Sequence, residues 1–230
     1  MRELLLNTTY FGVLLSLAAF FLGSWLQKKT KNPIFNPVLV ATLLTIGVLL
    51  LLKIDYATYA SGAKYLSYLL TPATVCLAIP LYEQLTLLKK HLKAMLLGIL
   101  AGVMTNLLGV LIITLIWHLD HAQYVTLLPK SVTTAIALPL SEALGGYASI
   151  TSVTVLVTGV LGNMIAPTFL KLIRIRNPLA QGVAIGTSSH ALGTAKALEM
   201  GEIEGAMSSL AIAVTGIMTV IGVNIFAGLI

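Results

Sequence analysis

The feature that most constrains this chain is a series of apolar runs, each long enough to cross a lipid bilayer, joined by short basic loops. Six runs read as full membrane helices, at about 4–26, 34–52, 64–86, 94–117, 148–172 and 205–229. A spanning helix needs about 20 mostly apolar residues. Only 10% of the 230 residues are charged and 57% are hydrophobic, with a mean hydropathy of +0.96. A soluble domain carries roughly 25% charged residues, so this chain cannot cover itself with a polar surface and lipid is its solvent. The first run is too long for a signal-peptide core, and no small-x-small cleavage site before a polar region follows it. It is expected to stay as the first helix.

The loops carry the orientation signal. Lys28, Lys29 and Lys31, then Lys89, Lys90 and Lys93, then Lys171, Arg174 and Arg176 lie at three loops that alternate correctly with the runs. The opposite side holds Arg2, Lys53 and Lys64. Basic loops stay on the cytoplasmic side, which puts both termini outside if the weaker stretches described next enter and leave on one side. The net charge of +6 is thus spent on topology, and a nucleic-acid partner is not expected. The lone Cys76 cannot form an internal disulfide, and no CxxC or HExxH spacing suggests a metal.

Two stretches, about 126–144 and 179–200, mix apolar residues with Pro, Gly, Ser, Thr, Lys, His and Glu. Such a sequence is costly against lipid and is tolerated where it is buried in protein or lines a wet cavity. Both read as broken or re-entrant helices. The fold class is therefore an all-α membrane protein with about six transmembrane helices plus two broken or re-entrant ones. It is expected to be a single integral membrane domain, 1–230, with an N-terminal helix pair over 1–60 and a core over 61–230.

That core contains a repeat. Thr74-Val-Cys-Leu-Ala-Ile-Pro80-Leu81-Tyr-Glu83-Gln-Leu85 and Thr133-Thr-Ala-Ile-Ala-Leu-Pro139-Leu-Ser-Glu142-Ala-Leu144 agree at six of twelve positions, at an offset of 59. Gly102-Val-Met-Thr-Asn106 and Gly159-Val-Leu-Gly-Asn163 follow, at an offset of 57. Chance likeness among apolar helices explains Leu and Ala matches but not Pro, Glu and Asn in one order. The first copy is followed by lysines and the second by Gly145, Gly146 and Tyr147, so the helices that follow them run in opposite directions. An inverted-topology repeat is a transporter-like pattern that places substrate near the midplane, at discontinuous helices. Glu199 and Gly216, spaced like Glu142 and Gly159, hint at a fainter third copy.

Two segments carry candidate chemistry. Pro129-Lys130-Ser131-Val132-Thr133-Thr134 opens an apolar run and reads as a helix start, where hydroxyls cap free N–H groups and the positive helix end attracts anions. The plainer reading is an interfacial cap with Lys130 snorkelling to water. Thr187, Ser188, Ser189 and His190, followed by Gly193 and Thr194, put consecutive hydroxyls and an ionisable ring at membrane depth. An intramembrane ionisable group is a functional candidate; the plainer reading is a small-residue helix contact. Two hydroxyl-rich helix starts converging at the midplane would suit a small carboxylate. His190, Glu83 and Glu142 are candidates for proton coupling, although either carboxylate would also sit comfortably at the headgroups. Asn106 and Asn163 read as helix-to-helix hydrogen bonders, and Trp25, Tyr82 and Trp117 as interfacial anchors.

Leu128-Pro-Lys-Ser-Val-Thr-Thr134 and Gly186-Thr-Ser-Ser-His190-Ala-Leu-Gly-Thr-Ala-Lys196-Ala, with Asn36-Pro37 and Pro80-Leu-Tyr-Glu83, resemble the LrgB/CidB family over essentially the whole chain. The resemblance implies an antiholin-like or murein-hydrolase-regulating protein working beside a small LrgA/CidA-type membrane partner. Relatives that carry pyruvate in bacteria, or exchange glycolate and glycerate in plastids, imply a two- or three-carbon carboxylate substrate. The expectation is a secondary carrier of small monocarboxylates in a bacterial cytoplasmic membrane, working by alternating access; the alternative is a holin- or antiholin-like regulator of autolysis. Neither is an enzyme, neither uses a cofactor, and a homo-oligomer is expected.

Overall fold

The computed structural model describes residues 10–30 and 32–230. Residues 4–9 of the first expected span, Arg2 and Lys31 lie outside the described residues, as do the side chains of Thr74, Pro80 and Leu81 in the first repeat copy. The helices are α1 (Phe11–Thr30), α2 (Pro37–Leu51), α3 (Tyr56–Ser67), α4 (Leu70–Cys76), α5 (Ala78–Glu83), α6 (Leu85–Trp117), α7 (His121–Leu127), α8 (Thr134–Ala143), α9 (Ala148–Leu172), α10 (Pro178–Met200) and α11 (Glu202–Phe226). No strand occurs among the described residues. Four helices, α1, α6, α9 and α11, are long and apolar enough to cross a membrane, and α2 is a shorter apolar helix. The chain is a multi-pass, all-α membrane protein.

Two expected boundaries change. The run 64–86 is not one helix but three short ones, α3 to α5. Pro72 and Pro80 supply no N–H to a helical ladder, and each falls in the first turn of the helix it follows into, α4 and α5. The expected loop 87–93 is helical, because α6 begins at Leu85 and runs 33 residues, through Lys89, Lys90 and Lys93. Lysine is a good helix former, and 33 residues at about 1.5 Å each extend well past a hydrocarbon core of roughly 30 Å.

The chain divides into two compact units, one up to Cys76 and one from Leu77 onward, rather than near residue 60. In the first unit, Asn36 Oδ1 accepts from the N–H of Val38 at 2.9 Å and caps α2. Gly12 of α1 lies against the Tyr59 and Ala63 backbone of α3, where Ser16 and Tyr59 hydroxyls meet at 2.8 Å.

In the second unit both weaker stretches re-enter. α7 begins at its Asp120 cap, where a reciprocal Asp120–Gln123 capping box closes the helix start. The chain turns over residues 128–133 and α8 returns beside α7. Thr151 Oγ1 of α9 lies 3.1 Å from the Thr126 carbonyl and 2.7 Å from the Ser141 hydroxyl, which holds the two limbs together. α10 reverses at His190, whose φ of 41° and ψ of −140° break the helix. Before the reversal, Gly182 abuts Glu204 and Gly186 abuts Ser208, so this limb runs parallel to α11. After it, Thr194 Oγ1 is 2.7 Å from Ser208 Oγ and Leu198 packs on Gly205, so that limb runs antiparallel.

The same contacts orient the long helices. Gly98 and Gly102 of α6 face Val183 and Thr187 in ascending order, while Gly162 of α9 faces Ser189 and Leu170 clusters with Ile185 in descending order. α6 and α9 therefore run in opposite directions, and the hairpins enter from opposite sides. The repeat deepens accordingly. Asp120 and Asn177, the residues that cap the two hairpins, stand at the same offset of 57 as Gly102 and Gly159, and as Asn106 and Asn163.

Candidate functional site

Each hairpin tip is pinned by an asparagine from the long helix that precedes it. Asn106 of α6 donates to the Leu128 carbonyl at 3.0 Å, and Asn163 of α9 donates to the Leu192 carbonyl at 2.8 Å. Backbone groups at membrane depth need such partners, because no bulk water is there to satisfy them. The sequence marks these asparagines as helix-to-helix bonders; their specific partners are the carbonyls that a re-entrant turn frees.

A cavity of about 740 Å³ lies between α6, α9 and the two tips. The first tip contributes Lys130 and Ser131, the second Thr187, Ser188 and Ser189, and α6 contributes Asn106. The polar groups form a chain at the first tip and a separate pair at the second. Lys130 Nζ donates to Ser131 Oγ at 3.3 Å, and Ser131 donates to Asn106 Oδ1 at 3.1 Å. Ser188 and Ser189 hydroxyls meet at 3.0 Å. Thr187 is only 6% exposed, and its hydroxyl has no hydrogen-bond partner among the described residues. The one salt bridge among those residues joins Lys196 to Glu199, so the Lys130 ammonium faces the cavity without a carboxylate beside it.

The other candidates stand elsewhere. His190 is buried, with Nε2 3.0 Å from the Val155 carbonyl, so this nitrogen is the donor. Thr194 donates to the His190 carbonyl at 2.9 Å and meets Ser208. Gly193 sits in the reversal against Ser189 and Ile185. Thr133 is half-buried, Thr134 exposed, and neither lines the cavity. Glu83 and Glu142 are exposed side chains outside it. The hydroxyls of the second segment also fall differently than expected. They occupy the last turn before the reversal, not a helix start, and Ser188 Oγ donates to the Ile185 carbonyl at 3.3 Å. Gly102, which the repeat pairs with Gly159, and Gly162 join the lining. A Cβ on Gly162 would fall onto Ser189, and one on Gly159 would lie 2.6 Å from His190 Cε1, so these glycines let the second tip approach α9. The sequence marks Gly159 as part of the repeat and gives no signal for Gly162, which stands opposite Thr105 in the other copy.

A model of the LrgB-like family matches residues 16–229. The antiholin-like protein LrgB of Bacillus subtilis (strain 168) is 42% identical over 222 residues, covering 96% of this chain and 96% of that one. The antiholin-like protein LrgB of Bacillus cereus (strain B4264) is 41% identical over 220 residues, 95% of this chain and 96% of its own. No solved structure matches. With that coverage of both chains, this protein belongs to the LrgB-like family.

Proposed function

We propose that the protein is a secondary carrier of small monocarboxylate anions of the pyruvate, lactate, glycolate or glycerate type, in a bacterial cytoplasmic membrane. The observation that carries this reading is the Lys130 ammonium, which faces a largely apolar cavity between two re-entrant tips with only the neutral Ser131 hydroxyl as partner. An ionised group at membrane depth is costly unless it is paired, and a carboxylate supplies the pair. Ser131, Thr187 and Ser188 then offer hydroxyls to the carboxylate and to an adjacent keto or hydroxyl group. Opposed hairpins can release the site to one side or the other by alternating access. His190 acts by shaping the second tip, through its bond to Val155. The test is uptake of labelled pyruvate, lactate and glycolate into proteoliposomes. Saturable uptake in the wild type that is lost in Lys130→Ala supports the carrier; equal uptake by both refutes the assignment of the site.

A second reading has its own support, since the relatives are named antiholin-like; that name favours a regulator of murein hydrolase activity and autolysis over a carrier. Such a protein would work through a small LrgA/CidA-type partner or as a homo-oligomer. Autolysis assays with Lys130→Ala separate the two. Normal control of lysis by a variant that carries no acid places the antiholin-like role outside the cavity.

A further inference from the structure

We infer that the cavity is reached from the face bearing Lys89, Lys90 and Arg174, through a second, smaller cavity whose neck is Gly98. This second cavity, of about 360 Å³, lies between the start of α6 and the start of α10, where His91, Ala94, Asn177 and Ala180 line it. It shares Gly98, Val183 and Ala184 with the larger cavity, so the two adjoin at one constriction. Gly98 leaves this place free of a side chain: a Cβ there would be in ordinary contact with Val183 Cγ1, at 3.7 Å, and a larger side chain would fill the junction.

The two directions away from Lys130 differ in the charge at their ends and in how they are filled. Towards the basic face the lining offers Thr187 and Ser188 among apolar side chains that run from Ile165 and Phe169 to Ile173 and Ile175, and then His91 and Asn177 of the second cavity. Lys89, Lys90 and Lys93 stand at that end of α6, and Arg174 and Arg176 in the connection before α10. A field of that sign raises the local concentration of anions. The acidic residues of the same face are Glu83, just before α6, and Glu199, Glu202 and Glu204, which flank the junction of α10 and α11; none lines either cavity. Towards the other face the lining beyond Asn106 is Gly109, Val110 and Ile113. There Tyr124, Val125 and Leu128 are fully buried, and the Tyr124 hydroxyl donates to the Phe226 carbonyl at 3.1 Å. The adjoining cavities and the basic charges lie on one side and fully buried side chains on the other, so this conformation is open to the basic face and shut at the α7 hairpin.

The route rests on the reading of the larger cavity as a solute site, but thiol labelling tests it without any transport. In a Cys76→Ser background, single cysteines are placed by Ala94→Cys and Ser188→Cys. Arg174→Cys and His118→Cys mark the basic and the opposite face. A membrane-impermeant sulfonatoethyl methanethiosulfonate is applied to each face of reconstituted vesicles. Ala94→Cys and Ser188→Cys are expected to react from the face that labels Arg174→Cys. Adding Gly98→Leu is expected to slow labelling of Ser188→Cys by roughly tenfold or more, a small added barrier in rate terms, while Ala94→Cys keeps its rate and so reports that the variant is folded. Ala184→Phe is the alternative plug. Reaction of Ser188→Cys from the His118→Cys face, reaction from neither face, or indifference to both plugs would overturn the route. If this pattern holds while no acid is taken up, the route stands and the carrier reading falls. If acids are carried and the pattern is reversed, only the route falls.

Discussion

Asn106 makes a two-sided prediction. Its amide donates to the Leu128 carbonyl at 3.0 Å and accepts from Ser131 at 3.1 Å, so Asn106→Ala removes two hydrogen bonds at a tip where Leu128 is fully buried. Side-chain hydrogen bonds between membrane helices are worth about 0.6 kcal/mol on average and up to about 1.7, so the pair sums to roughly 1–3 kcal/mol. The loss falls on the turn at 128–133 and not on the long helices, since local opening draws on local contacts. Two assays read it. Reversible unfolding in mixed detergent micelles should show a loss in that range. Amide exchange should rise at 128–134 by about tenfold for each 1.4 kcal/mol lost, with the Asn163-pinned tip unchanged. Asn106→Asp separates pinning from binding: it keeps an acceptor for Ser131 but brings a carboxylate beside Lys130, so anion uptake should vanish even where the fold survives. A change below about 0.5 kcal/mol in Asn106→Ala, the usual effect of a surface substitution, would refute the claim that this side chain pins the tip.

Gly162→Ala drives a Cβ onto Ser189 and should cost about 1–3 kcal/mol in detergent unfolding, whereas Gly109→Ala, with nothing within 4 Å, should cost nothing measurable. Thr151→Val keeps the shape but removes the hydroxyl between Thr126 and Ser141, and should loosen the first hairpin by about 1 kcal/mol, read as faster exchange in α7 and α8. At His190, the φ of 41° suits glycine better than any residue with a Cβ, so His190→Gly should retain more folded protein than His190→Ala on size exclusion. Since His190 does not line the cavity, the carrier proposal expects both variants to lower maximal uptake more than the apparent affinity for the acid.

Much of the helical layout was legible because lipid imposes a length. Ala148–Leu172 is bounded as expected, and the start of α10 differs by one residue, since a proline after an asparagine cap gives a sharp start. Hydropathy could not tell crossing from re-entry. The limbs His121–Leu127 and Thr134–Ala143 hold 7 and 10 residues, each too short for the roughly 20 that a crossing needs, but their sum looks like one span. The clue lay in the capping residues. Asp120 and Asn177, extending the offset of 57, place a helix start at the same point of each copy. The second reversal had no such signal, because it occurs at a histidine held in a backbone conformation that composition does not reveal. For the same reason the sequence suggests a helix start at Thr187, Ser188 and Ser189, whereas these residues close a helix.

The two copies share a frame and differ in charge, and that difference bears on function. Both tips are held by an equivalent asparagine, so the repeat conserves the backbone problem and its solution. Yet Lys130 stands at the first tip, while the cavity-lining groups of the second are hydroxyls. Charges attract strongly where the dielectric is low. Two ammonium groups around a monovalent anion would hold it with one positive charge left over and would resist its release. One ammonium leaves the occupied site neutral, and hydroxyls on the opposite tip can orient the anion without adding charge. A neutral, occupied cavity is also the state in which a hairpin can move at membrane depth without exposing a bare ion to lipid. Symmetry in the hairpins with asymmetry in their charge is thus what a site must have if it is to bind a monocarboxylate and also let it go.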